Sequence, residues 1–414
     1  MLKQKIKNAL LWAQKYTHAD NLYLAKHGSF LWGANIISLG LSFLLSIAFA
    51  RFLTKETYGT YQYVLSIVGI LTIFTIPDMI DALTQATAAG ADRSIFTATR
   101  TRIKTGFIGT SIAIIIGIYF WWHGNLAVAI GFFVASAFIP FAEAFKNYLG
   151  YLGGKKRFDI SSAYSVVSQV IYSLAMLVCL LFIKNVAGLV AVFFITNLAV
   201  NVFFYYRTLK ILPPLTQKSD PKISSYGMHL TASGIFGVIA SQIDRILVFS
   251  FIGPQSLAIY TFATAPVDKM KGFLAPISTL ALTKFSEKTK EEIKESINRR
   301  LWQLLGLSAF IIVAWIAVAP FIYKWFFPAY LASIGLSQIY VLKYIGLPAS
   351  ILPVVFKSQK MVRPIYFINI TGEIFLIIMY ILLLAKFKLL GLVMAAIFTA
   401  IYRSVVLLIF LKKM

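Results

Sequence analysis

Residues 160–183 read ISSAYSVVSQVIYSLAMLVCLLFI and contain no charged side chain. A helix needs roughly 20 apolar residues to cross the hydrocarbon core of a bilayer, and this stretch is long enough to do so. A helix also closes its backbone hydrogen bonds internally, as any segment in lipid must. The apolar–polar alternation of a membrane barrel strand is absent here. The stretch therefore predicts a transmembrane α-helix.

Similar apolar runs lie on both sides of this one, joined by short polar connections. Together they predict an all-α polytopic membrane protein with about 12 transmembrane helices. The runs cover residues 27–52, 58–83, 105–123, 125–148, 160–183, 186–209, 226–252, 257–283, 301–323, 334–356, 364–384 and 388–411.

The composition agrees with this prediction. Of the 414 residues, 59% are hydrophobic and 13% are charged, and the mean hydropathy is +0.79. A soluble domain is about half apolar and about one quarter charged. The net charge of +24 could suggest nucleic-acid binding. Cytoplasmic loops of membrane proteins also collect Lys and Arg, and the distribution of the charges along the chain favours that explanation.

The Lys and Arg residues alternate between the predicted connections. If the N-terminus is cytoplasmic, 29 of them fall on the inside and 6 on the outside. This asymmetry predicts a multi-pass protein of the inner (cytoplasmic) membrane with both termini in the cytoplasm. Residues 1–26 carry five lysines among apolar residues at helical spacing. They predict an amphipathic segment on the cytoplasmic membrane surface, with a plain solvated tail as the alternative.

Motifs of catalysis and metal binding are missing from the sequence. Cys179 is the single cysteine, so it can form neither an intramolecular disulfide nor a cysteine-based metal site. The four histidines show no ligand spacing, and there is no phosphate-binding Walker loop. We expect no enzyme activity, no cofactor and no metal. Transport would draw on an H⁺ or Na⁺ gradient, or on the gradient of the substrate.

The two halves of the chain resemble each other weakly. A shift of 203 residues places Gly-Leu-Val at 188–190 on Gly-Leu-Val at 391–393. A shift of 199 places Phe52 on Phe251, Tyr61 on Tyr260 and Pro77 on Pro276. Both offsets agree with a repeat of six helices, which is typical of transporters. We predict an N-lobe at 27–210, a cytoplasmic linker at 211–225 and a C-lobe at 226–414, so the lobes are pseudo-symmetric.

Ionisable residues fall inside the predicted spans, where each costs several kcal/mol. One interpretation is a hydrated cavity with surplus positive charge that binds an anionic substrate. The alternative is mutual pairing, for example between Asp268 and Lys271, three residues apart on one helix. The candidate substrate-binding cations are Arg51, Arg245, Lys269, Lys271, Lys343 and Arg403. The candidate charge partners or ion-coupling acids are Asp78, Asp81, Asp244, Asp268 and Glu373.

Several motifs carry a resemblance to a known family. They are Ala-Arg-Phe-Leu at 50–53 with Glu-Thr-Tyr-Gly-Thr-Tyr at 56–61, Gly-Gly-Lys-Lys-Arg-Phe at 153–158, and Gln-Ile-Asp-Arg-Ile-Leu at 242–247 with Gly253, Ile259-Tyr260, Pro276 and Phe285-Ser286. In these motifs the chain resembles the Wzx-type oligosaccharide flippases of the multidrug/oligosaccharidyl-lipid/polysaccharide (MOP) exporter superfamily. The likeness in span number, loop length and charge covers essentially the whole chain.

This resemblance implies two six-helix lobes around a V-shaped cavity that opens by alternating access. It implies flipping of an undecaprenyl-pyrophosphate-linked glycan for cell-surface polysaccharide or O-antigen assembly, with other assembly proteins as possible partners. Basic residues would meet the pyrophosphate. Asp244 and Arg245 are the residues whose positions match the family motif best. Ile-Pro-Asp-Met at 76–79 departs from the glycine-rich end of span two that the family favours.

The main alternative is an ion-coupled multidrug or cation antiporter of the same superfamily. A cation antiporter needs an acidic, aromatic cavity, which the surplus of intramembrane positive charge disfavours. A glycan polymerase needs a substantial outer loop with catalytic groups, and every predicted outer loop is short. A non-transporting scaffold would have no use for so many costly buried charges.

Overall fold

The computed structural model describes residues 21–270, 290–359 and 361–412. The described residues are built from α-helices and short 3₁₀ helices, and they contain no strand. The N-terminal half consists of α1 (Asn21–Phe52), α2 (Lys55–Leu71), α3 (Met79–Ala88), α4 (Ser94–Trp122), α5 (Leu126–Ala142), α6 (Asn147–Gly154), α7 (Phe158–Phe182) and α8 (Val186–Ile211), with 3₁₀ helices at Thr72–Thr75 and Ala144–Lys146.

The C-terminal half is more irregular. It consists of α9 (Ile223–Phe251), α10 (Pro254–Lys269), α11 (Lys290–Phe326), α12 (Ser333–Tyr340), α13 (Leu352–Ser358) and α14 (Val362–Lys412), with 3₁₀ helices at Pro328–Tyr330, Val341–Gly346 and Pro348–Ile351. Most of the predicted segments 1–26 and 271–283, including Lys271, lie outside the described residues.

Nine helical segments among the described residues are long and apolar enough to cross a membrane, or ten with the bent pair Ser333–Gly346 and Pro348–Ser358. Three features account for the difference from the predicted twelve: the bent pair, the long last segment and the partly described eighth span. The 50-residue segment Arg363–Lys412 is more than twice the length of a span and breaks at Lys388, where φ is 50° and ψ −130°. The predicted runs at 364–384 and 388–411 meet at this break. Of the eighth predicted span, 257–283, only residues up to 270 are described, and most of these lie in α10.

The second predicted span is broken rather than straight. α2 tightens into a 3₁₀ turn at Thr72–Thr75, and Ile76 then adopts a left-handed backbone with φ 50° and ψ 70°. This conformation is strained for a β-branched residue. Pro77 follows and has no N–H to continue the helix. The break frees the backbone carbonyl group of Thr75 from the helical hydrogen-bond pattern.

The described chain divides into two compact units, Leu22–Gln242 and the residues from Ile243 onward. The division falls inside α9. The predicted lobe boundaries stay a prediction.

The N-terminal unit has a core at one end of its helices, where α3 packs on α6, α4 and α8. Met79, Leu83, Ile95 and Tyr151 are fully buried there. Gly150 permits the close approach of α6 to α3, because a Cβ at this position would meet the carbonyl oxygen of Ile80 at 2.5 Å.

The C-terminal unit has a separate core between α11, α13 and α14. Leu352, Val355 and Phe356 are fully buried there, and Ile297, Ile368 and Leu407 pack against them. Outside the cores, many large apolar side chains of both units are exposed, including Trp122, Phe182 and Trp325. Such exposure is expected of helices that face lipid.

Candidate functional site

The charges predicted inside the membrane form two ion pairs in the C-terminal unit. The first joins Lys343, in the 3₁₀ helix Val341–Gly346, to Asp268 near the end of α10. The hydroxyl of Tyr340 also donates to the two carboxylate oxygens of Asp268, at 3.2 and 3.3 Å. The Lys343 ammonium lies 3.7 Å from the centre of the Tyr340 ring, so the ring face stabilises the same cation.

The bend of the tenth predicted span fixes this pair in place. The segments on either side of Leu347 differ in direction by 47°. The hydroxyl of Tyr344 donates to the carbonyl of Val267 in α10 at 2.9 Å. The carbonyl of Tyr344 accepts from the hydroxyl of Ser308 in α11 at 2.7 Å. These two hydrogen bonds hold Tyr344, the neighbour of Lys343, against α10 and α11.

A second carboxylate interacts electrostatically with the first. Asp244, near the end of α9, accepts a hydrogen bond from the hydroxyl of the fully buried Tyr260 at 2.9 Å. Its other oxygen accepts from the backbone N–H of Arg245 at 2.8 Å. Tyr380 of α14 is buried and lies within electrostatic range of both Asp244 and Asp268. Two acids thus share one environment rich in tyrosine hydroxyls.

The second ion pair lies within α14, across the break at Lys388. Arg403 Nη2 lies 2.8 Å from Glu373 Oε1, and both side chains are partly buried. Gly372 makes room for the guanidinium, since a Cβ there would come within 2.6 Å of Arg403 Nε. Phe375 and Tyr402 stack beside the pair with ring centres 4.5 Å apart. The pair therefore fastens the two halves of α14 to each other.

The N-terminal unit contains a buried cation that the sequence interpretation placed wrongly. The predicted runs end at 83 and begin again at 105, which places Arg102 in a cytoplasmic connection, but it lies in α4 and its side chain is fully buried. Nε donates to the carbonyl of Thr75 at 2.7 Å, and Nη1 donates to Asn147 Oδ1 at 2.9 Å. Nη2 lies 3.6 Å from Glu143, which also pairs with Lys146.

The spacing of charges in α4 could have indicated this burial. Arg100, Arg102 and Lys104 alternate, so on a helix Arg102 points away from the other two. Arg102 instead continues a stripe of small and apolar residues at helical spacing. The buried stripe comprises Ile95, Ala98, Thr99, Arg102, Gly106, Gly109, Ala113 and Gly117.

The segment between α8 and α9 is bound along the N-terminal unit. Asp92 is fully buried, and its carboxylate lies 2.7 and 2.8 Å from Lys155 Nζ. One of its oxygens also accepts from the backbone N–H of Leu215 at 3.1 Å. The hydroxyl of Thr216 donates to the carbonyl of Gly90 at 2.6 Å. We call residues 212–222 the strap, because these contacts tie the segment to the start of α4.

With this geometry described, the chain can be compared with known proteins. Residues 24–283, more than half of the chain, match the model of the family described as "Polysaccharide biosynthesis protein". The chain belongs to this polysaccharide biosynthesis protein family. The suspected resemblance is therefore confirmed at the level of the family.

Solved structures with the same fold cover almost the whole chain of this family member. The lipid II flippase MurJ, in an inward closed conformation, aligns with a TM-score of 0.65 and 14% identity over 94% of this chain and 87% of its own. The eukaryotic MATE transporter AtDTX14 aligns with a TM-score of 0.64 and 13% identity over 94% and 95%. A MOP superfamily transporter from Pyrococcus furiosus aligns with a TM-score of 0.62 and 12% identity over 94% and 95%.

These matches confirm the predicted fold class, an all-α multi-pass membrane protein of the MOP type. The solved structures named above are those of transporters and a flippase, and the family is one of polysaccharide biosynthesis proteins, which agrees with the prediction that the chain is not an enzyme. Among curated proteins, no sequence matches significantly. Because the structural relatives are only 12–14% identical, they establish the fold and leave the substrate open.

The remaining predicted site residues of this family member are more scattered. Arg51 is exposed at the end of α1, and Asp81 is exposed in the first turn of α3. Asp78 precedes α3, and its backbone N–H donates to Thr231 of α9 at 3.3 Å. Lys269 is half-buried at the end of α10. Lys271 lies outside the described residues, so its pairing with Asp268 stays untested.

The ion pairs reduce the cationic surplus that the sequence indicated. The described spans of the C-terminal unit carry Arg245, Lys269, Lys343 and Arg403 together with Asp244, Asp268 and Glu373. Two of the cations, Lys343 and Arg403, are held by carboxylates. Among the described residues, no group of three or more His, Cys, Asp or Glu side chains could hold a metal ion.

Proposed function

We propose that this transporter flips an undecaprenyl-pyrophosphate-linked oligosaccharide from the cytoplasmic to the outer leaflet by alternating access. The product would serve cell-surface polysaccharide assembly, such as that of O-antigen. The family to which the chain belongs supports a role in polysaccharide biosynthesis. We further propose residence in the inner membrane with both termini cytoplasmic, in accordance with the charge asymmetry of the loops.

The observation that carries the proposal is the half-buried Lys269 at the end of α10, in the eighth predicted span. Its neighbour Asp268 is already paired with Lys343. Among the described residues, Lys269 forms no ion pair or hydrogen bond. A cation at this depth costs several kcal/mol unless an anion compensates it. A pyrophosphate group is such an anion, and lysine binds phosphate as a point charge.

Coupling to an ion gradient is a further part of the proposal. Asp244 and Asp268 interact electrostatically among tyrosines, and their two negative charges repel each other. Binding of H⁺ or Na⁺ would relieve that repulsion. Glu373, Asp78 and Asp81 are the other proposed coupling candidates.

An antiporter of multidrug or cationic substrates is the second candidate. The same acid–tyrosine cluster favours it, because aromatic faces and carboxylates together bind organic cations. The structural match to MATE transporters is compatible with it. The surplus of cations over acids in the described spans of the C-terminal unit favours the flippase.

A reconstituted flipping assay separates the two candidates. Purified protein in liposomes receives a fluorescent undecaprenyl-pyrophosphate oligosaccharide in one leaflet, and its appearance in the other leaflet is timed. We expect Lys269→Ala and Arg245→Ala to lower the rate tenfold or more. Lys324→Ala is the control, since Lys324 is exposed in the last turn of α11. Export of cationic dyes by the wild type, without lipid movement, would instead establish the antiporter.

A further inference from the structure

A groove on the N-terminal unit combines two cations with an aromatic floor. It lies between the first turns of α4 and the last turns of α8 and has a volume of about 360 Å³. Arg100 and Lys104 line it from α4, Tyr206 and Leu209 from α8, and Phe145 from the 3₁₀ helix between α5 and α6. The volume is within the range of small-molecule sites, which begin at about 300 Å³.

The two cations are arranged to receive an anion. Arg100 and Lys104 are four residues apart in α4, so they lie one above the other on the same face at about 5–6 Å between their Cβ atoms. Both side chains are exposed. In the described part of the chain, neither forms an ion pair or a hydrogen bond with another residue. Like charges at this spacing destabilise a helix unless an anion lies between them.

The position of the groove along α4 places it at the membrane surface. Residues 105–122 of α4 carry no charge, and 18 residues of helix span about 27 Å, close to the thickness of the hydrocarbon core. Lys104 therefore lies at the edge of the core, and Arg100 lies about 6 Å further out among the head groups. Tyr206 shows 60% of its surface and Phe96 43%, as belt aromatics do.

We propose that this groove binds the head group of an anionic phospholipid of the surrounding membrane. The phosphate lies between Arg100 and Lys104, and the glycerol and first methylene groups lie on Phe96 and Tyr206. Charge complementarity selects an anionic over a zwitterionic lipid, and the exposed aromatic side chains select a lipid over a soluble phosphate. Basic pockets between helix ends at the cytoplasmic side are known to bind such head groups.

Native mass spectrometry of the delipidated full chain tests this site. The protein is titrated with phosphatidylglycerol, with phosphatidylcholine of the same acyl chains, or with inorganic phosphate. We expect one phosphatidylglycerol to bind preferentially, and Arg100→Gln with Lys104→Gln to weaken that binding on the order of tenfold. Arg207→Gln with Lys210→Gln is the matched control, because it removes two exposed cations from the end of α8 outside the groove.

Three results would overturn the proposal. They are equal binding of both lipids by the wild type, an equal loss in the control variant, and competition by inorganic phosphate at the same concentration as the lipid. If the neutral variant fails to fold, the charge-preserving pair Arg100→Lys and Lys104→Arg replaces it and should keep the lipid preference. A photoactivatable phosphatidylglycerol should then crosslink to peptides containing 96–104 or 205–209, and crosslinking elsewhere alone would contradict the site.

Discussion

The guanidinium Nε of Arg102 donates a 2.7 Å hydrogen bond to the carbonyl oxygen of Thr75. This contact joins α4 to the break in the second span, where the 3₁₀ turn ends and Ile76 reverses the backbone. A backbone carbonyl that leaves its helix inside a membrane protein must find another donor. Arg102 supplies that donor, while its Nη1 donates to Asn147 and its Nη2 lies 3.6 Å from Glu143.

Replacing Arg102 with Met should destabilise the protein severely. The variant leaves Glu143 short of one cation and the Thr75 carbonyl without its donor. Loss of one partner of a buried ion pair costs about 3–5 kcal/mol, which we expect as the fall in the free energy of unfolding. Unfolding of the purified protein by a denaturing detergent measures it. Arg100→Met is the control from the exposed face of α4, and an equally large loss there would contradict the argument.

The helices of this protein were predictable because hydropathy alone marks the segments that lipid must cover. The broken second span and the pairing partners were not. Pro77 indicates a weak point, but the left-handed turn at Ile76 depends on Arg102, which is 26 residues away from it. The sequence does not distinguish a cation in a loop from a buried one such as Arg102 until the helix is known to begin at Ser94.

For the candidate site, too, some features could be predicted from the sequence and others could not. Sequence reasoning singled out Asp268, Lys343, Glu373 and Arg403, because an ion in an apolar run is conspicuous. It could not pair Asp268 with Lys343, since the two are 75 residues apart and meet only through the bend after α12. It also passed over Asp92, whose burial depends on the strap folding back over the start of α4.

Replacing Asp92 with Ala should release the strap. The buried carboxylate binds Lys155 and the backbone N–H of Leu215, and hydrogen bonds to a charged group contribute about 1.5–3 kcal/mol. Hydrogen exchange at the Leu215 amide should accelerate roughly 10- to 150-fold, as mass spectrometry of peptides from 212–222 would record.

The matched control for the strap is Asp159→Ala. Asp159 pairs with Arg157 at 2.9 Å, but both side chains are 42% exposed. An exposed pair contributes at most about 1 kcal/mol, so exchange in the strap should stay as in the wild type. Protection that survives in Asp92→Ala would show that Thr216 holds the strap without the carboxylate.

A methyl group at Gly372 should disturb the ion pair of α14. In Gly372→Ala the new Cβ would meet Arg403 Nε, and the guanidinium would move away from Glu373. Overpacking of this kind costs about 1–3 kcal/mol, and we expect a correspondingly lower melting temperature. Gly306→Ala is the control, because nothing lies within 4 Å of its Cβ position and alanine favours a helix by about 1 kcal/mol. A melting temperature that rises equally in both variants would exclude the strain.

The Asp268–Lys343 pair should show thermodynamic coupling in a double-mutant cycle. Asp268→Asn removes the carboxylate that pairs with the Lys343 cation, whose side chain is only 10% exposed. Lys343→Met leaves the carboxylate with the hydroxyl of Tyr340, and Asp268 is 42% exposed, so water compensates part of the loss. The first variant should therefore lose more stability than the second. The double variant should lose less than the sum of the two, by about 1 kcal/mol after allowance for solvent screening.

The same four proteins also test whether the pair has a role beyond stability. If Asp268 binds a coupling ion, Asp268→Asn should abolish the dependence of lipid flipping on the imposed H⁺ or Na⁺ gradient. The double variant should also lack this dependence, since the ion-binding carboxylate is still absent. A gradient dependence that returns in the double variant would mean that the pair serves only to fix the bend after α12. Additive losses of stability would mean that Asp268 and Lys343 do not interact in the membrane.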